Sequence, residues 1–359
     1  MASHGVARTF RVRTEEQRLR DLEKIRKYRD LEDEARAQAT SGTFSPYLFQ
    51  LTGKLLRINP EYYTIWNIRR RCLLSSLLSC ATSQQQQLDP HDSAPSDGDV
   101  LQSELAFTIP LLMQFPKCYW IWNFRQWVLS QAILRLPVPD ARDIWKTELG
   151  LTSKMLSKDQ RNFHAWDYRR LVIARLEGPE LQGKSMAEEE FSYTRQAIRR
   201  DLSNFSAWHN RSQLISRLLE DRGADRVTRA ALLTEELELV REALNLGPED
   251  QSLWYYHRFL ISQIVNRGVG QTFVPDLTMD EKVAHLRREI EEIKGLLEDY
   301  DDVKWIYESL LEYTVALERL EDRTEPGDRV GDLRAWLAQL RALDPMRIGR
   351  WDDFEREIG

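Results

Sequence analysis

The chain has 359 residues, 42% apolar and 30% charged, with a formal net charge of −6; it has apolar material for a continuous core, and its acidic balance excludes general nucleic-acid binding, which needs a basic surface. Three cysteines, Cys72, Cys80 and Cys118, form neither a disulfide framework nor a Cys-x-x-Cys site. No apolar run reaches the ~18 residues of a membrane span and the first residues lack a signal-type apolar stretch, so a reducing, cytoplasmic setting is expected.

Thr14-Glu-Glu-Gln17 reads as a capping box. It opens a charged helix over 14–39 whose narrow apolar stripe is Leu19, Leu22, Ile25 and Leu31. From 44 to 265 one phrase, aromatic-x-x-Trp-x-x-Arg, then recurs: Tyr63…Trp66…Arg69, Tyr119…Trp122…Arg125, Phe163…Trp166…Arg169 and Phe205…Trp208…Arg211. A fifth copy, Gln251…Trp254…His257, is degenerate, and Trp305 marks a weaker sixth in which Glu308 replaces the Arg. Anchor spacings of 56, 44, 42, 46 and 51 match two-helix solenoids and not the roughly 34-residue tetratricopeptide unit. The long first step carries a polar, Pro-containing insert at 82–99, expected to be a disordered loop. Pro110 is expected to kink its helix. A degenerate repeat and C-terminal helices fill 280–359, with one helix over 332–343 stopped by Asp344-Pro345. No strand pattern appears. The expected fold is all-α: one helical-repeat domain, a right-handed solenoid or crescent of antiparallel hairpins.

A second register accompanies the first. Glu stands 18 residues before the Trp at Glu104, Glu148, Glu190 and Glu236, opening the phrases ELAFT, ELGLT, EFSYT and ELELV. Asn59, Asp159, Asp201 and Gly247, seven before the Trp, read as caps of each second helix, with Phe115 standing in the second copy. Pro60, Pro116 and Pro248 then fall at the first helical position. Folding each hairpin about its turn brings Glu104 level with Arg125, Glu148 with Arg169 and Glu190 with Arg211, and sets Trp122 against Phe107, Trp166 against Leu151 and Trp208 against Tyr193. The expectation is an apolar ladder inside each hairpin, closed by a bidentate Glu–Arg pair.

Searches for a phosphate loop, a His-Glu-x-x-His or a Gly-x-Ser-x-Gly return nothing. His164, His209 and His257 lie inside the repeats, where packing is the expected role, and the cysteines read as buried and structural. Five residues before the Trp the copies carry Glu61, Lys117, Arg161, Ser203 and Glu249. In the first turn of a helix, Lys117 and Arg161 would make a positive spot near Tyr119. A contact with an anion such as phosphate and a plain solvated cation both fit. The residues alone reach a helical-hairpin solenoid that binds something.

The repeated hairpins resemble the α-subunit repeats of the protein prenyltransferases over five copies between about 48 and 265. His4-Gly5 with Arg11-Val-Arg13-Thr14-Glu-Glu-Gln17, and the ending LRALDPMRIGRWDDF (340–354), are similar to the Rab geranylgeranyltransferase branch; no role is assigned to His4, and the form looks compact, without appended domains. The resemblance implies a crescent wrapped around a β subunit that holds zinc and the lipid pocket. It also implies transfer of geranylgeranyl from geranylgeranyl diphosphate to C-terminal cysteines of Rab GTPases presented by Rab escort protein, with activity only alongside the β subunit. The family's diphosphate-stabilising lysine matches Lys117 and its tyrosine matches Tyr119; Arg161 has no such match and is left structural. The other readings are the shared α subunit of farnesyltransferase and type I geranylgeranyltransferase, and a non-catalytic scaffold.

Overall fold

The computed structural model describes residues 14–78, 95–266, 272–321 and 330–358. Among these every regular element is helical: α1 (Glu15–Thr40), α2 (Pro46–Ile58), α3 (Tyr63–Cys72), α4 (Asp97–Gln114), α5 (Tyr119–Arg135), α6 (Val138–Lys158), α7 (Phe163–Glu177), α8 (Ala187–Arg200), α9 (Phe205–Asp221), α10 (Arg226–Leu246), α11 (Gln251–Val265), α12 (Met279–Leu296), α13 (Lys304–Leu320), α14 (Val330–Leu343) and α15 (Ile348–Ile358). The chain resolves into two compact units, one of residues up to 157 with 164–184, the other of 158–163 with the residues from 185 onward. The opening His4-Gly5 and Arg11–Arg13, Cys80, and residues 82–94 of the polar insert lie outside the described residues. Residues 96–99 of that insert are not loop: Ser96 and Asp99 form a capping box, and α4 begins at Asp97. Four polar or small residues were read as a linker where they are the helix start.

Thr14 accepts from the Gln17 N–H and starts α1. Its stripe is not a packing face at its beginning: Leu19, Leu22 and Ile25 are about half exposed, and Ala35 is the buried residue of this helix. Further along, Tyr62 donates to Glu32 and accepts from Arg36, tying α1 to the first hairpin. Pro110 sits inside α4, which continues past it to Gln114.

The turn between the two helices of a hairpin differs from its sequence reading. Asn59, Phe115, Asp201 and Gly247 are the C-caps of the first helices, not the N-caps of the second. The second helices start four residues later, after Tyr62, Cys118, Asn204 and Asp250. Asn59, Asp159 and Asp201 each accept, at 3.2 Å, the N–H two residues on, the Asx turn these short side chains favour. Pro60, Pro116 and Pro248 therefore lie in the turn, and their carbonyls have a use: they accept the indole N–H of Trp66, Trp122 and Trp254 at 2.6–3.0 Å. Trp208 does the same to Leu202. Each of these four Trp is thus both the core of its hairpin and the clip on its turn.

That clip also identifies the sixth anchor. Tyr307, not Trp305, donates to the carbonyl six residues back, Asp301, and the buried Glu289 stands 18 residues before Tyr307. A phenol performs the indole's task, so a search anchored on Trp lands two residues early.

Candidate functional site

The repeat signature builds the frame. Arg69, Arg125 and Arg211 are 0–4% exposed, and a buried guanidinium needs most of its five donors met. The Nη1 group of each turns to its own first helix, donating to the Phe49, Leu105 or Phe191 carbonyl at 2.7–3.2 Å and to the hydroxyl of Thr52, Thr108 or Thr194. The other edge binds a carboxylate with two parallel bonds: Arg69 to Glu104 at 2.6 and 2.7 Å, Arg125 to Glu148 at 2.7 and 2.6 Å, Arg211 to Glu236 at 2.7 and 2.6 Å. Burial opposes the charge of Arg125, and the Glu148 carboxylate more than restores it, holding the pKa above the usual value.

These pairs correct the expected ladder. Glu104 closes on Arg69 and Glu148 on Arg125, each an arginine of the preceding hairpin. The axial level was right, because Arg69, Arg125 and Arg211 reach residues 17 and 20 positions back in their own hairpins. Level does not fix azimuth, however: repeated hairpins set an Arg at the same height on either side of every first helix. Toward its own hairpin, Glu148 accepts instead from the Tyr168 hydroxyl, and Glu236 from Tyr256. The aromatic contacts shift the same way. Phe107 meets Trp66 at 6.5 Å, and the rings two residues after the next anchor fill the rest: Phe124 on Trp66, Tyr168 on Trp122, Tyr256 on Trp208, at 4.7–5.0 Å. In the fifth copy, buried His257 contacts Glu289 at 3.0 Å and the Tyr313 hydroxyl at 2.8 Å, so it takes the arginine's place as a polar link and not merely as a packed ring. Arg169 contacts Thr152 and Ser153.

Lys117 and Tyr119 stand on this frame at the entrance to α5. Lys117 is exposed and precedes the N-cap, Cys118, by one residue, so it lies before the first turn and not within it. Tyr119, the first helical residue, is 56% exposed. Between them Cys118 is buried, its thiol 3.5 Å from the Pro60 carbonyl, and burial pushes its pKa up to about 11. It pins the turn and is no nucleophile near neutral pH. The Tyr119 ring lies edge-on to Trp120, with centroids 5.3 Å apart, and 6.4 Å from His164; Trp120 also meets Tyr63 at 5.3 Å. His164 is the member that sequence reading left to packing. Partial burial lowers its pKa, Asp167 raises it, Lys117 lowers it and Glu61 raises it, with a net fall. A patch with an ammonium and a phenol hydroxyl, an imidazole lying beside the ring, is chemically suited to an anion with several charges.

Arg161, the other cation at this register, is engaged differently. It binds Asp201 with two bonds of 2.7 and 2.8 Å, which lowers the Asp201 pKa. Among the described residues no group of three or more His, Cys, Asp or Glu is placed to hold a metal ion, and no helix is long and apolar enough to cross a membrane.

The protein prenyltransferase alpha subunit repeat matches at 47–76, 101–132, 145–176, 187–218 and 233–264, which are the five hairpins α2–α3, α4–α5, α6–α7, α8–α9 and α10–α11. Over nearly the whole length the chain is 32% identical to the geranylgeranyl transferase type-2 subunit alpha of Schizosaccharomyces pombe, covering 99% of this chain and 98% of that one. The Candida albicans protein of the same description is 30% identical over 98% and 96%. Against the human one the identity is 33% over 71% of this chain and 41% of the other. A solved structure, Candida albicans protein geranylgeranyltransferase-I complexed with GGPP, shares the fold with a TM-score of 0.63 at 19% identity, over 93% of this chain and 91% of that one.

Proposed function

The chain belongs to the protein prenyltransferase α-subunit family, and from that premise we propose that it is the α subunit of a type-2 geranylgeranyltransferase, a heterodimer moving geranylgeranyl from geranylgeranyl diphosphate to C-terminal cysteines of Rab GTPases presented by Rab escort protein. The observation that carries this reading is the end-to-end similarity to type-2 α subunits of two fungi; the type I enzyme is matched in fold at 19% identity, so the shared α subunit of the other prenyltransferases is the less supported alternative.

In the transfer a cysteine sulfur bonds to C1 of the lipid while the C1–O bond breaks and diphosphate leaves with the electron pair. Zinc, on the β subunit in this reading, would supply a substrate sulfur held as thiolate near neutral pH. This chain's part is electrostatic. Negative charge grows on the departing diphosphate, and Lys117 with Tyr119 at the entrance to α5 would meet it with one fixed positive charge and one hydroxyl donor, His164 lying beside them. The lipid would sit at the subunit interface, the chain being inactive without its β subunit and working in the cytoplasm.

Co-expression with the β subunit from the same source tests the reading. The expected result is a one-to-one, zinc-bearing complex that prenylates a Rab–escort complex and not a CaaX peptide, and Lys117→Ala that assembles normally while transferring about 10²-fold more slowly. A chain that purifies alone beside the co-expressed β subunit would instead favour a scaffold. An unchanged rate in the variant would remove Lys117 from the site.

A further inference from the structure

A groove of about 1220 Å³ opens between α4 and α6, away from the entrance to α5. Two helical stripes line it, Leu105, Ala106 and Ile109 on α4 and Ile144, Thr147 and Leu151 on α6, with Leu77, Leu78 and Pro95 at its rim. Ile109 lies four and three residues after Leu105 and Ala106, and Ile144, Thr147 and Leu151 follow at steps of three and four, the intervals that put side chains on one face. Ile109 is 38% exposed. The buried Arg125–Glu148 pair forms part of the floor.

The groove is polarised. Asp97 and Asp99 from the first turn of α4 and Asp140 and Asp143 from the start of α6 gather at one end. Among the described residues the lining holds five carboxylates against two guanidiniums, and of those two Arg125 is 2% exposed and committed to Glu148. Arg135, 3.4 Å from Asp97, is the other. Asp99 is held ionised by the Ser96 hydroxyl and N–H, which lower its pKa. The first helical turns tolerate Asp97, Asp99 and Asp140; with Asp143, which Lys146 approaches at 3.1 Å, the four carboxylates still outnumber Arg135 and Lys146 and leave a net negative mouth above an apolar trough. A helix about 10 Å across fills such a volume with about three turns.

We infer that the α4–α6 groove is a docking site for an amphipathic helix of a partner protein, one that presents an apolar i, i+3, i+4, i+7 face to Leu105, Ile109, Ile144 and Leu151 and carries lysines or arginines at the end lying over Asp97, Asp99, Asp140 and Asp143. An acidic or uniformly polar helix would meet like charge at the mouth and leave the trough wet. The inference rests on this surface alone and stands whether or not the transfer reading does.

The probe is a labelled model helix with leucines at that spacing and lysines over one end, and its control has the same composition with the leucines spread round the helix. Fluorescence anisotropy on the full chain, alone and in its native complex, is expected to show binding of the first and not the second. Asp140→Asn with Asp143→Asn should weaken it about tenfold and flatten its salt dependence. Ile109→Ser should weaken it by a similar factor with circular dichroism unchanged. Equal binding of both peptides, or binding indifferent to these variants, overturns the proposal. Binding that appears only after residues 79–94 are deleted assigns the groove to the chain's own segment and overturns it equally. Binding by the free chain that vanishes in the complex identifies the helix as one of the complex's own subunits, and supports it.

Discussion

At the scale of the residue, the two largest departures from the sequence reading concern direction. Glu148 has Arg125 on one side and Tyr168 on the other. A cycle of Arg125→Met and Glu148→Gln is therefore expected to show coupling of about 1–3 kcal/mol in chemical denaturation, whereas Glu104→Gln with Arg125→Met should be additive. Arg125→Met alone leaves Glu148 buried with a phenol for its partner and should cost about 3–5 kcal/mol. His164 offers a test of the candidate site that needs no activity. Lys117 lowers its pKa, so Lys117→Ala should raise the His164 titration midpoint, as read from its imidazole resonances. Inorganic pyrophosphate bound at Lys117 should raise it in the intact chain. The sign also bears on stability: with a folded pKa below the unfolded value of about 6.5, the neutral ring contributes fully above that pH. The contribution falls as acid protonates the unfolded chain first. Removing His164 should flatten the loss of stability between pH 6.5 and the lowered folded value.

At the scale of the element, what ends one helix and starts the next is settled within seven residues. Asn204 shows the economy: its carboxamide oxygen accepts the Ala207 N–H to cap α9, and its nitrogen donates to the Gln160 carbonyl. Asn204→Ala is expected to cost about 2 kcal/mol by thermal unfolding, while Asn204→Asp should retain the cap and lose the second bond. The legible part here was the existence of the hairpins, since Trp, its following Arg and the preceding Glu recur without slippage. The capping residues were misassigned because an Asn or Asp between two helices can serve either end, and seven residues leave room for both readings. The threonine of the ELAFT, ELGLT and EFSYT phrases was in view and went unused; in Thr108 and Thr194 it is a partner of the buried arginine. Tyr168 and Tyr256 were equally visible two residues past their anchors, but a hydroxyl that caps a glutamate has no signature apart from the glutamate it finds.

At the scale of the whole molecule, large rings remain on the surface at the entrances to the second helices: Tyr63 and Tyr119 in one unit, Phe163 and Phe205 in the other, all at least half exposed. Exposed rings at this register in each unit mark surfaces meant for burial. If the β subunit covers them, the chain's midpoint of thermal unfolding should rise with β concentration, by the equivalent of about 2.7 kcal/mol at a hundredfold excess over the dissociation constant. A midpoint indifferent to added β subunit would count against the heterodimer.

The sequence by itself determined the class, the hairpin count between 44 and 265, the family, and the height at which every Arg meets a first helix. These are local or periodic quantities, fixed by helix pitch and by repetition along one dimension. Tertiary structure decided which of two level neighbours each Glu binds, that Tyr307 replaces Trp as an anchor, that His164 sits beside Tyr119, and that a groove opens between α4 and α6. Each of these depends on rotation about a helix axis or on the gap between hairpins. Pitch along one chain does not encode either quantity, because both are set by how side chains of separate hairpins fill the space between them.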